Sequence, residues 1–408
     1  MTAAVPDEIL LLIFDLLSGP ACLQFPDAKY DYDRACAPFV LASVCRQWRL
    51  LAQSTCTLWT YFGFSDDSDY HESDLARLHT IVPLVKLAPI DLLFGCDSLF
   101  LYPDTKQLLD ELMCLIPQWR SAQLDMPRRG AGLFTDRSPL AAPILQQLSI
   151  TAEECTLCLP EAHQLIRVHL DCQDVVLSDP LSLWPNISNW CSILHGNRST
   201  RFCTAYALQL VELFLVENYW LSDTLDLPCL LTLLLNDARD LNHIRAPKLR
   251  NLILKADNLQ KNGADLTCHS TGVQHLTLYG TIGIQTIKAL EHLAAVSTIS
   301  FTVPTNVRKV YNFARHTCVV DAGFFHQLAV TRPPVWPYLK HISFAPDLER
   351  LDFNELLAFI ESRNLRVEED VQGGHCSSIQ DVTVDALNIE TPVWFVTQLQ
   401  ALLTVDRR

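Results

Sequence analysis

The stretch Ala246-Pro247-Lys248-Leu249-Arg250-Asn251-Leu252-Ile253-Leu254 decides how the chain is read. Its anchors follow apolar-x-x-apolar-x-apolar, with Leu249, Leu252 and Leu254 in the apolar places. Alternate residues of a strand point to one side, so Leu252 and Leu254 face a core together. The pattern recurs upstream as Leu145/Leu148/Ile150, Leu165/Val168/Leu170, Leu210/Leu213/Leu215 and Leu230/Leu233/Leu235. Downstream it returns as Val273/Leu276/Leu278, Val296/Ile299/Phe301, Leu339/Ile342/Phe344 and Ile379/Val382/Val384. First anchors are separated by 20, 45, 20, 19, 24, 23, 43 and 40 residues.

The short steps fall near the leucine-rich-repeat period of roughly 20–29 residues, and the long steps are close to double it. The spacing therefore predicts a weak or interrupted unit inside each long step, for example around Ile187 to Ile193. Stacking such units gives a parallel sheet over a shared core. The expected fold class is α/β: a short N-terminal helical domain over residues 1–62, then an irregular repeat solenoid over 63–408 with a parallel concave sheet. The first units fall between Phe64 and Leu140. Ile90 to Phe94 and Trp119 to Met126 read as strands, and Leu108 to Ile116 as a helix. Ser65 to Asp69 reads as a solvated acidic loop, and Glu355 to Arg363 as a helix on the convex side. The Asn/Cys position three after the last anchor is Asn218 once, and otherwise Asp257, Gln173 or Glu153, so the array should be irregular.

Composition narrows the function. The 408 residues carry Lys+Arg 31 against Asp+Glu 46, a formal charge of -15, with 49% hydrophobic residues. That is a globular chain rather than a disordered one. It lacks the basic excess of a nucleic-acid binder. The charge suggests a basic or neutral protein target. Glycine is scarce at 13 residues, and neither G-x-x-x-x-G-K-[ST] nor G-x-G-x-x-G occurs. Fifteen cysteines without a compact framework point to a reducing, cytoplasmic or nuclear setting. Ile9 to Leu17 is apolar, but Asp7 and Glu8 precede it and Asp15 interrupts it, so it reads neither as a signal peptide nor as a membrane span.

The first sixty residues read as helices. Pro6, Asp7 and Glu8 suit a first helical turn, and Ile9, Ile13, Leu10, Phe14 and Leu17 form an apolar surface wider than one stripe. A second helix is expected from Pro38 through Ser54, followed by Leu58-Trp59. Taken in order, Val5-Pro6-Asp7-Glu8-Ile9-Leu10, Ile13-Phe14, Val44-Cys45-Arg46-Gln47-Trp48 and Leu58-Trp59 resemble an F-box, over about 60 residues. More narrowly, they resemble the F-box-like proteins abundant in mushroom-forming fungi, as does the Ala-Pro-x-Leu-x-x-Leu-x-Leu segment. The loop between the two helices is longer than in the compact F-box. The resemblance implies docking on a Skp-type adaptor subunit of a cullin-RING ubiquitin ligase. The residues matching the family's docking face are Pro6, Ile9, Leu10, Ile13, Phe14, Val44, Cys45 and Trp48. The alternative is that the two helices only cap the array.

Residues between the anchors should face the open side of the sheet. Phe214, Leu234, Ile253 and Tyr279 are the expected target-binding patch, because exposed apolar patches mark interaction sites. The alternative is that a loop or the C-terminal tail covers them. Cys155 and Cys158 form a C-x-x-C, with His169 and Cys172 downstream, which reads either as a zinc site or as buried thiols. Buried thiols are the preferred reading, so no metal and no cofactor are expected. No H-E-x-x-H and no G-x-S-x-G occurs, and no carboxylate pair stands out, so an enzyme is not expected. The resulting expectation is a substrate-recognition adaptor, with a non-ligase scaffold of the same fold as the alternative.

Overall fold

The second and third anchors of all nine apolar triplets lie inside β-strands. The structure is a computed structural model of the full chain. It describes residues 5–18, 30–65, 71–96, 103–126, 141–158, 160–176, 184–192, 207–215, 224–257, 259, 272–304, 318–345, 348–369, 376–385 and 391–404. The chain divides into two compact units, Met1–Ala205 and Tyr206–Arg408. The boundary expected at residue 62 falls inside the first unit, at the start of a strand.

The first unit opens with three helices, α1 (Asp7–Ser18), α2 (Tyr32–Val44) and α3 (Arg46–Ser54). Six strands then pair in chain order, all parallel: β1 (Tyr61–Ser65), β2 (Ile90–Gly95), β3 (Trp119–Met126), β4 (Gln147–Cys158), β5 (Arg167–Val176) and β6 (Asn189–Ser192). Helices α4 (His71–Val85) and α5 (Pro103–Met113) form the first two returns. Strand β6 is the weak unit expected near Ile187, with Ile187 and Trp190 as its buried anchors.

The second unit is also α/β. Its main sheet runs β7 (Glu212–Leu215), β9 (Thr232–Leu235), β11 (Asn251–Lys255), β12 (His275–Ile282), β13 (Thr298–Phe301), β15 (His341–Phe344) and β17 (Asp381–Val384), again all parallel. Strands β8 (Leu225–Asp226) and β10 (Ile244–Arg245) make a small pair. Strands β14 (Cys318–Val320) and β16 (Leu348–Arg350) extend from the C-terminal half of β12. The long steps 296–339 and 339–379 hold no further strand of the main sheet, because β13 pairs directly with β15 and β15 with β17. Their extra length goes into β14, β16 and the helices α7 (Phe324–Val330) and α8 (Phe353–Glu369), so the expectation of a hidden unit fails at these two places. Helices α6 (Ile284–Leu290) and α9 (Val393–Thr404) complete the unit.

The triplet works because each anchor has a fixed task. The first anchor closes a tight turn below the strand: Leu249 N–H donates to the Ala246 carbonyl at 3.0 Å, and Leu230, Val296 and Leu339 repeat the bond. The second and third anchors project into the core beside their neighbours in register. Of the 27 anchors only Val382 and Val384 escape full burial, and they lie on the last strand of the sheet. Each buried Leu contributes roughly 1.5–3 kcal/mol, which is why so regular a spacing is kept.

The residue just before each strand locks the register. The Arg250 carbonyl accepts from both Gln274 and His275 N–H at 2.9 Å. The carbonyls of Leu231, Gln274, Ser297 and Lys340 do the same for the next strand, as do Gln146 and Ile166 in the first unit. Where the usual bend-closing Asn is replaced by Asp257, the carboxylate still serves the bend: Thr281 N–H donates to Asp257 Oδ1 at 2.6 Å.

Candidate functional site

The N-terminal helices are the strongest candidate. In α1, Leu10 and Phe14 are one turn apart and both buried, and the Phe14 ring meets Trp48 of α3 edge-on at 5.2 Å. Gln47 Nε2 donates to Asp7 Oδ1 at 2.8 Å, a second tie between α3 and α1. The expected single helix from Pro38 to Ser54 is two helices. Helix α2 starts earlier, because Asp31 caps it by accepting from Arg34 N–H at 2.9 Å. It ends at Cys45, whose backbone is extended and whose Sγ accepts from Trp48 N–H at 3.5 Å, capping α3. Arg49 Nε donates back to the Ala42 carbonyl at 3.0 Å, satisfying an end carbonyl of α2.

With the inner face so filled, the outer face is left apolar. Ile9 is 47% exposed, Leu12 60%, Leu16 82%, Val44 56% and Leu50 60%, and Ile13, Leu17 and Val40 are also exposed. Leu17 with Ala37, Val40 and Leu41 lines an open groove of about 410 Å³, edged by Asp31, Asp33 and Arg34. Apolar side chains left in water at this density on adjoining helices mark an interaction surface.

The eight residues expected on the docking face divide. Pro6, Ile9, Ile13, Val44 and Cys45 are exposed, and Trp48 is half-buried. Leu10 and Phe14 belong to the core between the helices, so they hold the face rather than form it. Sequence reasoning missed Leu12, Leu16, Val40 and Leu50. The signal was present in the apolar surface of Ile9 to Leu17, too broad for one neighbour.

The helices are fastened to the first strands through charge. Asp91 on β2 is fully buried and takes a two-pronged contact from Arg120, Nε to Oδ1 at 3.0 Å and Nη2 to Oδ2 at 2.6 Å. Ser121 Oγ donates to the same Oδ1 at 2.6 Å. Arg34 of α2 lies 3.9 Å from Asp91 Oδ2 and 4.3 Å over the Tyr61 ring. Burial pushes the Tyr61 phenol above its ordinary value, partly countered by the Asp31 N–H bond and the Arg34 charge. Arg77 of α4 reaches Tyr30 Oη at 3.1 Å and the Gly63 carbonyl, and stacks on Phe64. A Cβ on Gly63 would come within 2.7 Å of the Tyr30 ring, so this contact needs glycine.

The expected target patch also divides. Register pairs Phe214, Leu234, Ile253 and Thr277 in one row, with Tyr279 opposite Lys255 one step along. Phe214 and Ile253 are half-buried. Leu234 and Tyr279 are fully buried, and the Tyr279 hydroxyl donates to Asn236 Oδ1 at 3.3 Å. These two residues therefore drop out of any accessible patch. Alternation assigns a residue to a face of the sheet but says nothing about what else lies on that face.

Cys155 and Cys158 lie in β4 and Cys172 in β5, with side chains outside the described residues, and Ser65 to Asp69 falls outside them beyond Ser65. Among the described residues no group of His, Cys, Asp or Glu is placed to hold a metal ion, and no helix is long and apolar enough to cross a membrane. Neither a protein-family model nor a curated protein matches the chain.

Proposed function

We propose that the chain is a substrate-recognition adaptor of an SCF-type cullin-RING ubiquitin ligase. On this reading α1 to α3 are an F-box-like domain that docks a Skp-type subunit, and the parallel array is an irregular leucine-rich-repeat solenoid that binds a target protein. The carrying observation is the apolar outer face of α1 to α3, held open by an inner face that is already packed. Helix faces of this kind seat in apolar grooves through anchors one turn apart, and Ile9 and Ile13 have that spacing. The mechanism is proximity: the target held near the ubiquitin-transfer machinery reacts at a raised effective concentration.

Co-expression with a Skp-type subunit tests the reading. The chain should capture the subunit, and Ile9→Asp with Ile13→Asp should reduce capture at least tenfold while circular dichroism stays unchanged. Both side chains are exposed, so the variants test the surface and not the core. A chain that captures no Skp-type subunit is instead a scaffold of the same fold.

A further inference from the structure

The two units treat the solvent-side face of their sheets differently. In the first unit Asp91, Leu93, Ser121, Gln123, Ser149 and His169 on that face are buried, Gln147 is half-buried and Arg167 is exposed. In the second unit Glu212, Phe214, Thr232, Asn251 and Ile253 on that face are half-buried, and His275 and His341 are exposed. There the register sets Asn251, His275, Thr298 and His341 side by side, and next to them Ile253, Thr277, Ser300 and Ser343. Arg250, Gln274, Ser297 and Lys340 immediately precede the same four strands, each next in sequence to the first residue of its strand.

This patch of twelve residues contains no carboxylate, in a chain with 46 of them. It holds two permanent cations, two imidazoles, hydroxyls and amides. Arg250, His275 and His341 are exposed and Lys340 is half-buried. Among the described residues none of the four has an ion pair. The row is bordered by a carboxylate, the exposed Asp381 on β17 in register with His341; Glu212 lies on β7 beyond β9, and Lys255 is paired with Asp257 at 3.7 Å. The backbone beneath the patch is also held in place. Each of the four residues that precede the strands has its carbonyl bonded to two N–H groups at the next strand, and Ser343 Oγ donates to Ser300 Oγ at 2.7 Å.

We infer that this patch binds an extended acidic segment of a partner protein, running across strands β11 to β15. The spacing supports the fit. Arg250 and Lys340 are three strand steps apart, about 14 Å at roughly 4.8 Å per step. Residues i and i+4 of an extended chain are separated by about the same length at roughly 3.4 Å per residue. Two acidic side chains four apart therefore meet the two cations, and the segment between them lies over His275, Thr298 and His341. The inference rests on the adaptor reading only in taking this partner to be the target. It reverses the expectation of a basic or neutral target drawn from net charge, because a partner meets the local surface and not the sum.

The test is fluorescence anisotropy on the full chain with labelled decaglutamate, decalysine and a twelve-nucleotide oligo-dT. Decaglutamate should bind, and binding should weaken several-fold between 50 and 300 mM NaCl. Arg250→Ser with Lys340→Ser should weaken it at least fivefold, whereas Lys106→Ser with Arg167→Ser, the same loss of charge in the first unit, should not. Single variants Arg250→Gln and Lys340→Gln, each expected to weaken binding at least twofold, serve if the double variant loses its circular dichroism signal. Absence of decaglutamate binding, equal binding of decalysine or oligo-dT, or undiminished binding by the variants overturns the proposal. Capture of a Skp-type subunit by the same preparations is read in parallel, so a failure of the acidic-segment proposal is separable from a failure of the adaptor reading.

Discussion

Replacing Asp91 by Asn should release the N-terminal helices from the sheet, and its size follows from the geometry. Asp91 is 0% exposed and faces Arg120 at 2.6 Å and Arg34 at 3.9 Å, side chains that are 29% and 12% exposed. Removing one partner of a buried pair costs roughly 3–5 kcal/mol, because the other charge stays desolvated. Arg120 reaches water in part and the amide still accepts from Ser121, so the lower end, about 3 kcal/mol, is expected. The two compact units need not melt as one, so a single midpoint would blur the effect. Hydrogen exchange resolves it: the slowest amides of Ile90–Gly95 and Trp119–Met126 should exchange about 100-fold faster, at roughly 1.4 kcal/mol per tenfold. The same change made in an Arg120→Met background should cost at least about 1 kcal/mol less, since paired groups couple. Acceleration below about threefold, or full additivity in the two backgrounds, would refute the claim that this carboxylate ties β2 to Arg120 and to α2.

Two further expectations concern the second unit. Gly280 has φ +80°, and a Cβ there would lie 2.7 Å from Asp257 Oδ2. Gly280→Ala should therefore lower stability by about 1–3 kcal/mol through strain and displacement of the Asp257–Thr281 bond, read as a lowered urea midpoint. Burial lowers the His292 pKa, outweighing the raising effect of Glu291. Below the ordinary value near 6.5 the unfolded chain then binds more protons than the folded one, so stability falls with pH from there down to the depressed folded value. His292→Gln should flatten that part of a pH-dependent melting profile, and an unchanged profile would remove the assignment.

The array was legible because one physical requirement repeats. A strand that must place alternate residues in a narrow core, after a turn that buries one more, writes apolar-x-x-apolar-x-apolar wherever it occurs. Even Ile187 and Trp190, with no leucine, were found by period. Strand β1 escaped because Tyr61 to Phe64 has aromatic anchors and a preceding turn ending in Trp59, outside the pattern. Helix α4 escaped because its first turn abuts the acidic run and Pro83 interrupts its end. The start of α2 was hidden by Pro38, which reads as a first-turn proline yet sits in mid-helix, so the Asp31 cap went unread. At the docking helices the sequence carried the right surface but could not divide it. Ile9 and Leu10 are adjacent and equally apolar, and only the packing of the helices, with Phe14 edge-on to Trp48, decides that Leu10 and Phe14 turn inward.

The two units expose surfaces of different chemistry, which bears on the two binding roles proposed for them. A parallel array of this kind offers the same backbone surface along its length, so binding must be confined by side chains. In the first unit α2 lies over the start of the sheet and clamps it through Arg34, Tyr30 and Tyr61. The polar side chains further along, Gln123, Ser149 and His169, are withdrawn from solvent as well. That leaves the outer side of α1 to α3 as the unit's large apolar surface among the described residues. In the second unit Leu234 and Tyr279 are withdrawn from solvent on that side, Phe214, Ile253 and the other polar strand residues from Asn251 to Ser343 are half-buried, and His275 and His341 are exposed. One unit thus presents an apolar helical face and the other a mostly polar sheet face whose central strands carry no carboxylate and whose border holds Asp381. Surfaces of such different chemistry do not compete for one ligand, so a variant in either should leave the other's binding intact. On the proposed adaptor reading, this independence would let one chain hold two proteins at once.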